Sequence, residues 1–372
     1  VRIAHISDCY LPRTGGIETQ VRGLALAQSA RGDAVRVITA TPGDGPVRSG
    51  RDTVDGLAVD RLAVRLPADL PVHPRTRAGV RALLEADPVD VAHVHVGATS
   101  PFAWGALRAT AELDLPTVVT VHSVWGPISR GGYRAVRGLL VRRNVIVSAV
   151  SGMAASAVAD SLNTDVAVLP NAIDPEPWRR DVAVPRVDGV FRVVTVARIA
   201  PRKRIGALIT ALARAQVLVV PSVRIEATII GDGPQRALAE RMARRLGIDV
   251  TFTGRLDGDR IRQVFAHSDA FAQASVRESF GIAALEARAA GLPVIARAQA
   301  GTAEFIRDGV EGLLAGDDTS LASAIARLAT DAALGDRIAA RNVSVPVEQT
   351  WQAICSRAEA LYVEAGGHAA VR

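Results

Sequence analysis

The chain has little cysteine, few aromatic residues and no long apolar run, and each shortage removes a class of protein. Its two cysteines, Cys9 and Cys355, stand near opposite ends of 372 residues with no partner at metal-ligand spacing. That argues against a disulfide framework and a structural zinc, and it suits a reducing compartment. Aromatics make up 4%, which leaves few stacking platforms for single-stranded nucleic acid. No recognition motif or arginine helix interleaved with aromatics is present either, so nucleic acid is not expected as a partner. The longest apolar runs, such as 193–197 and 217–220, fall far short of a membrane span. No basic and apolar leader precedes the opening Val-Arg-Ile-Ala-His-Ile-Ser, which reads at once as a strand. The expected location is cytoplasmic, with peripheral attachment at the inner membrane face as an open alternative.

What is present is an ordinary globular balance, 49% hydrophobic and 22% charged, in a length suited to two domains. The net charge of +6 comes largely from arginines spread along the chain. A basic surface of this kind serves phosphorylated substrates or anionic membranes, and it is equally what high arginine use produces with no partner at all.

Short β-branched runs alternate with longer stretches of helical periodicity, the pattern of parallel sheets wrapped by helices. Strands are predicted at 3–6, 34–39, 91–96, 117–121, 145–150 and 166–169, with helices after Gly16, at 101–113 and at 152–162. No periodic pattern survives in the Pro- and Gly-rich stretch 41–56, which reads as a loop. Pro170-Asn-Ala-Ile-Asp-Pro-Glu-Pro-Trp178 breaks the alternation, because three prolines in so short a span suit neither helix nor central strand. A fresh series then gives strands at 191–197, 226–230, 250–253, 270–273 and 293–296. The predicted class is therefore α/β: two doubly wound, Rossmann-like domains facing a central cleft, where nucleotides bind in such folds. The expected division is a first domain over 1–170, a linker over 171–190, a second domain over 191–346, and a C-terminal helix within 347–372 that crosses back to the first domain.

The most informative stretch is Ser275-Val-Arg-Glu-Ser-Phe-Gly-Ile-Ala-Ala-Leu-Glu-Ala-Arg-Ala-Ala-Gly-Leu-Pro-Val-Ile295. A strand ends near Gln273, a loop carries Glu278, and a helix starts near Phe280 or Gly281 with Glu286 inside it. Free backbone N–H groups at that helix start, with the helix dipole, make an anion site. Carboxylates suit sugars because each accepts several hydroxyl hydrogen bonds. By spacing alone, a capping Glu278 and a surface Glu286 are an equal reading. Asp257-Gly-Asp259 is a literal Asp-x-Asp pair, but it precedes a helical stretch and reads as a cap rather than a metal site. Asp317-Asp318 reads the same way.

Glu278 and Glu286, with seven residues between them and Ala-x-Ala-Ala-Gly-Leu-Pro-Val-Ile following, resemble the carboxy-terminal signature of family 4 glycosyltransferases, which have the GT-B fold. The resemblance spans nearly the whole chain. It includes Gly15-Gly16-Ile-Glu18, His122 at a strand end, Val168-Leu-Pro-Asn-Ala-Ile-Asp174, Val196-Ala-Arg-Ile-Ala-Pro-Arg-Lys203, Ile230-Gly-Asp-Gly-Pro234 and Phe252-Thr-Gly254. Any one of these is weak, and the ordered set is strong.

The resemblance implies roles for these residues. Arg198 and Lys203 hold the donor's pyrophosphate, where fixed cations offset charge developing on the leaving group. Glu278 reads donor-sugar hydroxyls, backbone amides near Ser279, Phe280 and Gly281 touch sugar and phosphate, and Glu286 accepts from the ribose. Gly15 and Gly16 let backbone N–H groups approach phosphate or acceptor closely, having no Cβ. His122 contacts donor sugar or acceptor, and Glu278 and His122 are the implied catalytic pair. Two departures from the family pattern are Arg204, where glycine usually follows the lysine, and Ala274, where proline usually precedes the serine. The implied reaction is hexosyl transfer from a nucleotide diphosphate sugar to a hydroxyl of a lipid, glycan or polyol. Configuration is retained, no metal or other cofactor takes part, and a donor phosphate oxygen takes the acceptor's proton. A non-catalytic sugar-nucleotide-binding protein, and an isomerase or phosphorylase on the same scaffold, stay open as alternatives.

One further segment bears on partners. Ser129-Arg-Gly-Gly-Tyr-Arg-Ala-Val-Arg-Gly-Leu-Leu-Val-Arg-Arg143 carries five arginines and no acid, with Tyr133, Val136, Leu139 and Leu140 at helical spacing. It reads either as a basic amphipathic helix for an anionic bilayer or as a helix packed on its own domain.

Overall fold

The computed structural model describes residues 1–44, 47–64, 72–179, 189–219, 221 and 223–366. The chain divides into two units, one of Val1–Ala172 with Gln349–Arg372 and one of Ile173–Glu348. Of the segment 171–190, Asn171 and Ala172 thus belong to the first unit and Ile173 onward to the second. Residues 180–188 lie outside the described residues.

The first unit runs β1 (Arg2–Ser7), α1 (Gly16–Ala30), β2 (Ala34–Thr39), β3 (Gly50–Val54), β4 (Leu57–Arg61), α2 (Thr76–Ala86), β5 (Val91–Val96) and α3 (Pro101–Glu112). It continues with β6 (Thr117–Val121), α4 (Pro127–Ala135), α5 (Arg137–Leu140), β7 (Val145–Ala149), α6 (Gly152–Leu162) and β8 (Ala167–Val168). Its eight strands are ordered β3-β4-β2-β1-β5-β6-β7-β8, parallel except for the β3/β4 pair. One face carries Ala4, Ile6, Ala92, Val94 and Val119 against α2, α3 and α6. The other carries Ile3, Val91 and Val118, which pack with Leu24 of α1 and with Ile354, Ala358 and Tyr362 near the chain's end. Gly23 on α1 makes room there: a Cβ at that position would lie 2.1 Å from the Trp351 ring. Each large side chain buried in this layer contributes roughly 1.5–3 kcal/mol.

The second unit runs β9 (Val190–Val196), α7 (Ile205–Leu218), β10 (Arg224–Ile230), α8 (Arg236–Leu246), β11 (Asp249–Gly254), α9 (Gly258–Ala266) and β12 (Ala270–Ala272). It continues with α10 (Ile282–Ala289), β13 (Val294–Arg297), β14 (Gly312–Ala315), α11 (Asp318–Thr330) and α12 (Ala332–Ser344). The last helix, α13 (Trp351–Glu364), belongs to the first unit. The second sheet is ordered β11-β10-β9-β12-β13-β14 and is wholly parallel. In each sheet the order reverses at the unit's first strand, between β1 and β5 and between β9 and β12. Loops leaving the carboxyl ends of those strands diverge there and leave a crevice.

Three sequence expectations need correction. The stretch 41–56, read as loop, contains strand β3, which forms a hairpin with β4. Asp55 and Gly56 both take left-handed backbone, at φ 54° and 83°, so this is the two-residue Asp-Gly turn that matches strand twist. Lacking an apolar alternation, β3 is held by pairing and by cross-strand Arg51–Asp60 and Arg61–Asp52 bridges. The helix after Glu278 begins at Ile282, because Gly281 is left-handed at φ 95° and cannot lie inside it. The stretch 129–143 is two short helices, broken at Val136, and not one amphipathic rod.

Candidate active site

In the second unit the loops after β9 and β12 leave neighbouring strands at the reversal point, and they carry the residues singled out above. Lys203 is the only lysine in the chain. Its ammonium lies 2.5 Å from Glu278 Oε2, both side chains mostly buried. The predicted phosphate cation and the predicted sugar-reading carboxylate are therefore partners. An ammonium has three donors and a carboxylate several acceptor positions, so both groups keep capacity for a ligand. Ser275 Oγ donates to the Arg202 carbonyl at 3.4 Å, a second tie between the two loops. Arg198 is exposed and makes no side-chain hydrogen bond or ion pair among the described residues.

The loop after β12 is built for close approach. Gly281 caps α10 with no side-chain acceptor, which leaves the Ile282 and Ala283 amides without an acceptor among the described residues, while Ala284 N donates to the Gly281 carbonyl. A Cβ on Gly281 would meet Thr302 Oγ1 at 2.4 Å, and one on Gly301 would meet the Ser279 carbonyl at 2.3 Å. Thr302 donates to the Phe280 carbonyl and accepts from Gln273, while Gly301 N donates to the Glu278 carbonyl. Phe280 is buried and packs on Phe305. The backbone of 278–281 is thus held on two sides, and Ser279 stays partly accessible. Glu286 lies in the second turn of α10, partly accessible, with no hydrogen bond or ion pair to Lys203 or Glu278. Burial pushes its carboxyl up to about 8, so it is largely protonated at neutral pH and both donates and accepts.

Arg204, the departure from the family's glycine, takes the left-handed conformation that glycine would favour, at φ 53° and ψ 39°. Its guanidinium pairs with Asp318, which also pairs with Arg297. The loop keeps its turn at the cost of strain in a residue with a Cβ. Gly231 and Gly233 pack directly on this loop: a Cβ on either would lie within 2.4 Å of the Ala197 or Ile199 carbonyl. Asp257 caps α9 through Arg260 N at 2.9 Å, and Asp259 pairs with Arg262, so the Asp-x-Asp pair is engaged in its own helix. Asp317 caps α11 in a reciprocal box with Ser320.

In the first unit, Gly15 and Gly16 are exposed at the start of α1, which has no side-chain cap. A Cβ on Gly15 would meet the Glu18 carboxylate at 2.5 Å; that carboxyl is buried, which raises its pKa, and it lies 3.5 Å from Arg13. His122 follows β6 and is partly accessible. Burial pushes its ring down to about 4 against a hydrogen bond with Asn171, so it is neutral.

Behind His122 stands a group that the sequence reading missed. His5, His93 and His95 are buried on one sheet face with Thr120 and Ser148. The signal was His93-x-His95 within an apolar strand, with His5 in register beside His93. Alternate polar residues in a buried strand share a face and must satisfy one another. Three of these rings offer ligand atoms within 4.8 Å of one another, the one such cluster among the described residues. Every ring nitrogen of the three already has a hydrogen-bond partner within 3.0 Å, so a metal would have to displace existing bonds.

The stretch 129–143 turns its apolar residues inward. Tyr133, Val136 and Leu140 are buried in the first unit's core, and Arg134, Arg137 and Arg142 donate to carbonyls at the ends of α6 and α3.

Comparison with known proteins identifies the family and the fold. Residues 14–177 match the family described as Glycosyltransferase Family 4, and residues 190–331 match Glycosyl transferases group 1. The chain is 27% identical to a phosphatidyl-myo-inositol mannosyltransferase of Mycobacterium leprae, over 97% of this chain and 96% of that one. It is 28% identical to a D-inositol 3-phosphate glycosyltransferase of Stackebrandtia nassauensis, over 93% and 87%. Among solved structures, Anabaena HepE in complex with UDP and glucose superposes with a TM-score of 0.75 at 21% identity, over 97% and 99%. With two parallel-sheet units, glycine-led helix starts and a paired lysine and glutamate at the second sheet's reversal point, this chain belongs to the family 4 glycosyltransferases of GT-B fold.

Proposed function

We propose that this glycosyltransferase moves a hexosyl group from a nucleotide diphosphate sugar to an acceptor hydroxyl, with retention and without a metal. The observation that carries this reading is the Lys203–Glu278 pair beside the uncapped start of α10. One corner thus offers a cation for the diphosphate, a carboxylate for sugar hydroxyls and free amides for either. Arg198 adds a cation on the same loop as Lys203, with no ion pair among the described residues. As the glycosidic bond breaks, charge grows on the diphosphate, and groups already fixed there lower the barrier without reorganising. Glu286, protonated and partly accessible, suits a ribose hydroxyl.

Among the described residues of this corner, Glu278 is paired with Lys203 and Glu286 is held protonated by burial, so neither stands as a bare charged nucleophile. Glu278 is neutralised by Lys203, which supports a role in holding the sugar. The acceptor's proton then passes to a donor phosphate oxygen, and the protein's share is positioning and electrostatics. On the first unit, His122 and the glycine-led start of α1 take the donor sugar or acceptor.

Both relatives are named for an inositol compound, one a phosphatidyl lipid and one a phosphate. That makes an inositol-type polyol, free or on a lipid, the first acceptor to test. With Tyr133, Val136 and Leu140 buried, this stretch would meet an anionic membrane chiefly through its arginines, Val141 being its exposed apolar residue. The deciding experiment is a thermal-shift screen of nucleotide sugars followed by turnover with polyol and lipid acceptors. A ligand at 100 times its dissociation constant stabilises by about 2.7 kcal/mol. Binding without hydrolysis or transfer, across all acceptors, would mean a sugar-nucleotide-binding protein instead.

A further inference from the structure

The buried histidines of the first unit form one directed hydrogen-bond chain that ends on His122. Its direction follows from the Gln28 amide, whose Nε2 donates to Tyr362 and whose Oε1 faces His5. The Val119 carbonyl has no proton, so Ser148 donates to it, at 3.3 Å. Either hydroxyl of the Thr120–Ser148 pair, 2.8 Å apart, can donate; with Ser148 turned to Val119, Thr120 is the donor. Thr120 Oγ1 then accepts from His93 Nε2 at 2.7 Å. A neutral ring has one N–H, so His93 Nδ1 is bare and accepts from the Tyr362 hydroxyl at 2.8 Å. The Tyr362 oxygen accepts in turn from Gln28 Nε2 at 2.9 Å, which turns Gln28 Oε1 toward His5.

From there the chain runs to the site. Gln28 Oε1 accepts from His5 Nε2 at 2.7 Å. His5 Nδ1 accepts from His95 Nε2 at 2.9 Å, and His95 Nδ1 accepts from His122 Nε2 at 3.0 Å. All four rings are neutral, because burial lowers His5 and His122 to about 4 and His93 and His95 well below their ordinary value. Reversing every bond would turn the Gln28 amide over and break the Ser148 bond to the Val119 carbonyl.

We propose that this chain, from Ser148 through Tyr362 and Gln28 to His95, fixes His122 as its Nε2–H tautomer. The one nitrogen of His122 left over is then a bare acceptor, able to take an N–H or O–H proton and unable to give one. It serves the Asn171 amide or a substrate sugar hydroxyl, and it does not act as an acid. Tyr362, Gln28, His5 and His95 are positioning residues that act through His122. The substrate part of this inference rests on the glycosyltransferase reading; the tautomer part does not.

The test is a long-range proton–nitrogen correlation spectrum of the full chain carrying nitrogen-15 histidine. All four rings should report as Nε2–H, and an Nδ1–H form at any of them overturns the proposal. Tyr362→Phe then keeps the ring and removes the middle link. His122 should become a mixture of tautomers, and kcat should fall about tenfold, the worth of one neutral hydrogen bond. Nucleoside diphosphate affinity, which the second unit supplies, should not change. A Tyr362→Phe protein that loses stability but keeps a pure His122 tautomer and its kcat refutes the positioning role. If that variant fails to fold, Ser148→Ala cuts the same chain at its anchor and is read the same way. A wild-type protein that turns over no nucleotide sugar sinks the transferase reading, while wrong tautomers in an active enzyme sink only this one.

Discussion

Replacing Lys203 tests the second-unit corner most directly, because its ammonium serves two partners. It pairs with Glu278 at 2.5 Å, and in the proposed reaction it also meets the diphosphate. Lys203→Met keeps most of the stem and removes the charge. A charged hydrogen bond contributes about 1.5–3 kcal/mol, so nucleoside diphosphate affinity should fall roughly 10- to 150-fold. The loss should approach the upper figure, because Glu278 is left as an unpaired, mostly buried carboxylate facing the ligand's own negative charge. Glu278→Gln separates the effects. It frees the ammonium, so nucleotide affinity should hold or improve, while turnover drops about a hundredfold with the loss of a preorganised sugar acceptor. Calorimetry with UDP, GDP and ADP reads the affinities, and a transfer assay reads turnover. Because Lys203 is the only lysine, nucleotide should also protect the chain's one side-chain amine from acylation. Unchanged affinity in Lys203→Met for the preferred nucleotide would place the phosphate site elsewhere and refute the reasoning.

Four more outcomes are expected. Glu286 has a folded-state pKa of about 8 against an ordinary 4.5, so the native state holds the extra proton and stability should fall as pH rises from 4.5 to 8. Glu286→Gln should flatten that slope in denaturant titrations; an unchanged slope would show the carboxyl is not desolvated. At Arg204, glycine should exceed alanine in stability by about 1 kcal/mol, because both lose the Asp318 pair and only glycine relieves the left-handed strain. Equal midpoints in chemical unfolding would contradict this. Activity should survive excess EDTA, and Asp257→Ala should cost about 1 kcal/mol of stability as a lost cap, with turnover unaffected. Loss with chelator, restored by magnesium or manganese, would reverse that assignment. Neutral vesicles should leave the protein in the supernatant on sedimentation, and any binding to anionic vesicles should be released by moderate salt. Salt-resistant binding would mean apolar insertion that the buried Tyr133, Val136 and Leu140 do not allow.

The parallel strands and the loop after β12 were legible in the sequence for one reason: both are local. A buried parallel strand is a short β-branched run, and 3–6, 34–39, 91–96 and 117–121 stand out as such. Gly281 and Glu278 lie within one loop, so their spacing carries their relation. The β3 hairpin was missed because its strand is Gly-Arg-Asp-Thr-Val, polar almost throughout, and the Asp-Gly turn was its only mark.

By itself, the sequence determined the α/β class, through the periodicity of its strands and helices, and the family, through the ordered motifs that resemble it. Only the tertiary structure decided which side chains pair. Lys203 and Glu278 are 75 residues apart, and nothing local shows that they neutralise each other. Gln28 and Tyr362 are 334 residues apart, joined because α13 packs beside α1. The direction of a hydrogen-bond chain depends on every member at once, so His122's tautomer is a property of the folded unit and of no segment within it.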